Sequence, residues 1–318
     1  VACIVSFVHS EQMRNKLFFS PEFDTKYVLH QYCDSFGECF TVEQRYRRLE
    51  TSIIGQRTIQ FKDPSLALTI ARLETPKVLT KDHLNPHNWK IDKKVVNGYN
   101  AIQAAAGFMF GSLSLSNTSQ PQRVLIIGLG GGETANFLSN MPLNLSIDAV
   151  ELEAVVADVA KRFFDVTETE NFKIHIEDGV TFVERAANES AIYNSILLDA
   201  CTNDVKAPIM CPCEVFRRPE TVENLSKVVG STGILSVNVV RSSVKEHRLM
   251  MNLFKKYFRH CFSLERYNQE VFFCSNRPDW SDDIWETKMG DFRQNLHDFD
   301  VRFNTKVRSD INSYTERD

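Results

Sequence analysis

"VLIIGLGGGETANFLSN", residues Val124 to Asn140, sets a short apolar run directly against a run of glycines and then the opening of a helical pattern. An apolar run of that length bounded by glycine reads as a buried strand. Gly128, Gly130, Gly131 and Gly132 after it read as a turn where bare backbone approaches a ligand and helix N–H groups point at it. Short apolar runs then alternate with helical stretches: strands are expected at 124–128, 147–151, 173–177, 195–199 and 233–240, and helices at 132–140, 154–164, 180–187, 220–229 and 244–258. That alternation predicts a mostly parallel sheet covered on both faces, with ligands at the carboxyl ends of its strands. The run "CFSLERYNQEVFFCSN", residues 261–276, predicts an antiparallel hairpin turning at Asn268-Gln269 on one edge of that sheet.

Acids stand where the strands end. Glu151 closes the second strand about twenty residues after the glycines, where a carboxylate accepts from both hydroxyls of a ribose. Asp178-Gly179 follows the third strand, with the acid placed to reach an adenine amino group and the glycine leaving room for the ring. Asp199 closes the fourth strand at the floor of the pocket. A nicotinamide dinucleotide is disfavoured, because three places after Gly130 stands Glu133, whose charge would face the pyrophosphate. A cofactor with an ammonium and a sulfonium suits these acids better, which points to S-adenosylmethionine or its decarboxylated form.

The segments "VLIIGLGGGE", "IDAVELE", "KIHIEDGVTFV", "YNSILLDACTND" and "GILSVNVV" together resemble the successive motifs of the spermidine-synthase-like branch of class I methyltransferases. Within it they are similar to the C-terminal half of the eukaryotic two-domain methyltransferases that modify elongation factor 1-alpha. The resemblance covers residues 95–276 well and the preceding part loosely. It implies an α/β, Rossmann-like sheet of seven strands with an antiparallel edge hairpin, preceded by a small β-rich N-terminal domain. It also implies S-adenosylmethionine binding by Gly128, Gly130, Gly132, Glu151, Asp178 and Gly179, joined by Tyr99 and Gln103, which share one helix face and match pocket-lining positions of the family.

Two chemistries divide this branch. Aminopropyl transferases carry an Asp within the glycine loop and a second Asp three places after the one that ends the fourth strand; here those positions are Gly131 and Thr202. Asp204 stands two residues further on, a displacement that general-base geometry tolerates poorly. Methyl transfer needs chiefly positioning, so the expected activity is an S-adenosylmethionine-dependent methyltransferase acting on an amine of a protein or small molecule. Asp199 and Asn238 are its expected catalytic residues, Asn238 matching an Asn of the family and offering its amide oxygen to an amine. Cys201 stands where the family pattern would have another carboxylate, which keeps open a third reading, a secreted or lumenal binding protein without turnover. The resemblance further implies dimerisation through the β-rich part.

That β-rich part, residues 11–94, is strand-like and turn-rich in "KYVLHQY", "CFTVEQRYRRLE", "TSIIGQRTIQF" and "LALTIARLE". Residues 277–318 predict a surface helix and a loose tail. Residues 1–10, "VACIVSFVHS", read as a signal-peptide remnant or, alternatively, as a first strand, and so leave secretion and a cytoplasmic location both open. Cys33 and Cys39 flank the turn-like "DSFGE" and are expected either to pair or to remain thiols. Cys211-Pro212-Cys213 has no second pair at zinc spacing, so no metal is expected. Glycosylation sequons stand at Asn117, Asn144, Asn188 and Asn224.

The 318 residues are 43% hydrophobic and carry a formal net charge of −4, enough apolar content for a sizeable core and no whole-chain basic field for a nucleic acid. No run of eighteen or more apolar residues follows the N-terminus, so no internal transmembrane helix is expected.

Overall fold

The computed structural model describes residues 26–48, 53–61, 67–76, 81–96, 98–204, 206–266, 269–280, 284–307 and 315–317. The expected signal remnant lies outside them. Two compact units emerge; one holds the N-terminal strands with Gly130–Glu133 and Val155–Thr167, and the other holds the rest from Val96 onward.

The first unit is an antiparallel meander of β1 (Lys26–Cys33), β2 (Cys39–Arg48), β3 (Ile53–Gln60) and β4 (Ala67–Arg72) in sequence order. Alternation along β3 buries Ile53 and Ile59 on one face, and Arg57 lies among them. Its guanidinium is satisfied by neutral acceptors: Gln44 Oε1 accepts at 2.9 Å, the Trp89 carbonyl at 3.1 Å, and the Phe163 carbonyl also accepts. Cys33 and Cys39 face each other across the β1/β2 turn and form a disulfide.

After β4 the chain runs through α1 (Gly98–Met109), β5 (Gln122–Ile127), α2 (Glu133–Ser139), β6 (Leu145–Glu151), α3 (Ala154–Phe163), β7 (Phe172–Ile176), α4 (Gly179–Asn188) and β8 (Ser195–Leu198), of which α3 from Val155 onward belongs to the first unit and the strands to the second. It continues through β9 (Ile209–Cys211), α5 (Pro219–Val229), β10 (Ile234–Arg241), α6 (Val244–Tyr257), β11 (His260–Arg266), β12 (Gln269–Ser275), α7 (Ile284–Phe303) and β13 (Thr315–Arg317). The sheet runs β13-β11-β12-β10-β8-β5-β6-β7, with β9 beside β10. From β10 to β7 the neighbours are parallel, and the β11/β12 hairpin adds antiparallel to β10. The parallel strands are apolar on both faces, as a doubly covered sheet requires; Ile196, Leu198, Leu235 and Val237 are wholly buried. Chain order runs outward from β5 to β7 and then returns to β8 on the other side. This places the topological switch point between the carboxyl ends of β5 and β8.

The seven expected strands, β5 to β8 and β10 to β12, are all present, and among the described residues two three-residue strands, β9 and β13, too short to carry a period, join them. Two expectations are corrected, the hairpin turn and the loose tail. Gln269 begins β12 instead of forming the turn, while Asn268 lies outside the described residues. The last helix is the expected surface helix: Asp291, Arg293, Gln294 and Asp298 are exposed, while Phe292, Leu296 and Phe299 at i, i+4 and i+7 form its buried stripe, the phenylalanines against Phe110 and Phe108 of the α1 segment. The expected tail contributes β13, which pairs with β11. Among the described residues no helix is long and apolar enough to cross a membrane.

Candidate functional site

The glycine turn adopts the backbone that its sequence requires: φ is +93° at Gly128, +53° at Gly130 and +74° at Gly132, the left-handed region that favours glycine. Gly128 is also crowded. A Cβ there would stand 2.4 Å from the Asp199 carbonyl oxygen, so the two strand ends at the switch point approach as closely as bare backbone allows. Gly131 donates its N–H to Thr69 Oγ1 at 2.7 Å, an internal partner for one loop amide.

Glu151, at the end of β6, is 9% exposed. Its Oε2 accepts from the Leu129 N–H at 3.0 Å and its Oε1 from the Glu153 N–H at 3.1 Å. The two bonds brace the glycine turn from the end of the strand. Beside it, Leu152 is 51% exposed and Ile176 48%, apolar surface next to the carboxylate.

Asp178 caps α4, accepting from the Val180 N–H at 2.7 Å through Oδ1. Gly179 departs from expectation: the space that a Cβ would enter is taken by Ile127 (2.8 Å) and by the ring of Phe216 (2.9 Å). The glycine lets α4 pack against these side chains, and the room foreseen for an aromatic ligand ring is filled by protein.

At the other lip, Asp199 gathers three side chains. Asn238 of β10 donates Nδ2 to Asp199 Oδ1 at 2.7 Å, Tyr99 of α1 donates its hydroxyl to Oδ2 at 3.0 Å, and Cys201 Sγ lies 3.7 Å from Oδ1. The Asp199 residue is partly exposed, but dense packing around its carboxylate raises its pKa above the ordinary value of 3.8, and the hydrogen bonds from Asn238 and Tyr99 oppose that rise. A carboxyl poised in this way can accept a proton nearer to neutral pH.

Two expected roles change in detail. The Asn238 amide oxygen faces Gln269 Nε2 at 3.5 Å, so Asn238 points its donor, not its oxygen, at the acid. Gln103 is 1% exposed, and its Nε2 donates to the carbonyls of Leu198 (3.3 Å) and Ser236 (3.2 Å). It therefore clamps α1 onto β8 and β10 instead of lining an open pocket.

Sequence reading did not anticipate a disulfide joining Cys201 to Cys211. It closes the loop after β8 at its neck, where the Thr202 N–H also donates to the Met210 carbonyl at 2.9 Å. Cys261 and Cys274, cross-strand partners on β11 and β12, form a third bridge, and Cys213 is free.

Residues 107–274 match the spermine/spermidine synthase domain, more than half of the chain. The chain belongs to the spermine/spermidine synthase domain family. The family includes more than one chemistry among this chain's relatives. The Drosophila melanogaster eEF1A lysine and N-terminal methyltransferase homolog is 28% identical over 206 residues, covering 62% of this chain and 31% of that protein. The Vibrio vulnificus polyamine aminopropyltransferase is 27% identical over 203 residues, covering 60% of this chain and 62% of its own. The chain thus spans about a third of the length of the methyltransferase relative. Among solved structures, human methyltransferase-like protein 13 in complex with SAH superposes with a TM-score of 0.54 at 21% identity, covering 64% of this chain and 93% of that one. This likeness concerns the fold, and the strand-end acids above are this chain's own.

Proposed function

We propose that this chain is an S-adenosylmethionine-dependent methyltransferase acting on an amine of a protein or small molecule. The observation that carries this over aminopropyl transfer is the disposition of Asp204. Its N–H donates to Thr202 Oγ1 at 3.2 Å and its Oδ1 accepts from the Lys206 N–H at 2.9 Å, which ties this exposed acid into its own turn. Asp199 is then left as the acid at the switch point without the second carboxylate that a diamine would need.

The residues present fit the cofactor. Glu151 sets a carboxylate at the strand end where a ribose is held in this kind of sheet, Leu152 and Ile176 offer apolar surface for a base, and the left-handed glycines bring backbone close to the amino-acid end. When bound, the cofactor would supply an electrophilic methyl group. Asp199, oriented by Asn238 and Tyr99, holds or accepts the acceptor's proton.

Three disulfides among the described residues support an oxidising compartment, secreted or lumenal, as the place of action. From there a cytosolic translation factor is out of reach, and the acceptor would be an amine of the secretory route or beyond. Dimerisation remains part of the proposal on family grounds alone.

Calorimetric titration with S-adenosylmethionine, its decarboxylated form and S-adenosylhomocysteine tests the reading. Micromolar binding of the carboxylated pair is expected. Preference for the decarboxylated form, with spermidine made from putrescine, would replace it by aminopropyl transfer; no binding at millimolar concentration would reduce the chain to a binding protein without turnover.

A further inference from the structure

The four sequons are not equivalent in the fold. Asn144 Nδ2 donates to the Thr118 carbonyl at 3.1 Å, so its amide is engaged, and the hydroxyl residue of its sequon, Ser146, lies within β6. Asn224 is partly buried within α5; the hydroxyl of its sequon, Ser226 Oγ, donates to the Tyr257 carbonyl at 2.7 Å and accepts from Asn276 Nδ2 at 2.9 Å. Asn117 differs. It is exposed in the loop before β5, with exposed Ser119 as its hydroxyl residue, and its side chain makes no hydrogen bond among the described residues. Asn188 is likewise exposed at the end of α4, and Ser190 after it is an exposed turn residue with φ +55°.

We propose that Asn117 and Asn188 are N-glycosylation sites and that Asn144 and Asn224 remain unmodified. The inference rests on the oxidising-compartment reading above, because the compartment that forms disulfides in a secreted chain is also the one that reads sequons. Fold geometry supports it independently. Asn117 precedes β5 and Asn188 precedes β8, so both lie at the amino ends of parallel strands, whereas Glu151 and Asp199 stand at the carboxyl ends. Bulky glycans at these positions leave the site open. A glycan on Asn144 would instead sit on the very nitrogen that holds the Asn117 loop through the Thr118 carbonyl, and one on Asn224 would meet the packed Ser226–Tyr257–Asn276 network.

The transfer balances with a lipid-diphosphate-linked oligosaccharide as donor. The Asn Nδ2–C1 bond forms as the C1–O bond to phosphate breaks; the lipid diphosphate leaves with the electron pair, and an amide proton passes to the transferase.

The test takes the endogenous chain, maps its disulfides without reduction, and treats it with peptide N-glycosidase in heavy-oxygen water before peptide mass spectrometry. Asn117 and Asn188 are expected to read as heavy-oxygen Asp, with Asn144 and Asn224 unchanged. An unconverted Asn117 or Asn188 in a chain whose Cys201 and Cys211 are paired overturns the assignment at that position while the compartment stands. Conversion at Asn144 or Asn224 overturns the sorting by fold. Free Cys201 and Cys211 thiols in the same digest overturn the compartment reading and this proposal with it. In parallel, N117Q and N188Q should each remove one glycan step on a gel and leave S-adenosylhomocysteine binding unchanged.

Discussion

Asn238 Nδ2 donates to Asp199 Oδ1 at 2.7 Å, joining the carboxyl ends of two adjacent parallel strands through a single carboxylate. The bond favours the ionised acid against the desolvation that raises its pKa. Replacing Asn238 with Ala should therefore move the Asp199 titration upward, followed as its infrared carboxyl band. Turnover of whichever amine the wild type methylates should fall about 10²-fold or more, with cofactor affinity unchanged. A titration midpoint that stays in place would remove Asn238 from the acid's control.

Asp199 also makes stability depend on pH. Its folded pKa lies above the unfolded value, so its contribution is fully present below about pH 4 and is lost as pH rises through the folded pKa. Asp199→Asn cannot ionise and escapes that loss. The melting temperature of the variant relative to wild type should become more favourable between about pH 4 and pH 7, measured by scanning fluorimetry; a difference independent of pH contradicts a desolvated carboxylate.

Glu151→Ala should weaken S-adenosylhomocysteine binding by about 10²-fold, the loss of two hydrogen bonds of about 1.5 kcal/mol each. Unchanged affinity in calorimetry would mean that Glu151 only braces the Leu129 and Glu153 amides.

Gly128 and Gly37 share a left-handed backbone, at φ +93° and +84°, but differ in surroundings, since a Cβ at Gly37 meets nothing within 4 Å. Gly37→Ala should cost about 1 kcal/mol from backbone strain alone. Gly128→Ala adds collision with the Asp199 carbonyl and should cost about 3 kcal/mol or more. Denaturant unfolding of the two variants compares them directly, and equal losses would deny the close approach.

Replacing both Cys201 and Cys211 with Ser removes a closure of sequence separation 10. The expected loss is about 3 kcal/mol on the chain-entropy account, with hydrogen exchange rising selectively in the loop between these cysteines. Exchange that rises uniformly, or not at all, would show that the bridge does not restrain this loop.

The glycine turn and Glu151 were legible because both are local: a strand, a turn and a strand end signal themselves within a few residues. The parallel strands were legible for the same reason, as apolar runs between helical ones. Gly179 was misread because Phe216, which fills the space beside it, stands 37 positions later and on no pattern that includes it. The roles of Gln103 and Asn238 turn on which amide atom faces which partner, and side-chain orientation leaves no periodic trace. Pairing of Cys201 with Cys211 depends on β9 folding back along β10, and a three-residue strand carries too little pattern to announce that. Buried charge under the hairpin was equally silent: Glu270 lies between His247, 2.6 Å away, and Arg241, which also pairs with Glu265.

Helix α1 is separated from β5 by the polar loop 116–121, yet every residue from Ala101 to Met109 is buried, and Gln103 fastens the helix to two strands that come about a hundred residues later. That loop is therefore a poor place to trim the protein. A protease nick in its exposed loop should leave two pieces that stay together without a covalent bond and separate only in denaturant. A recombinant fragment started at β5 would lack the inner cover of its own sheet, so the shortest self-standing version begins ahead of Gly98.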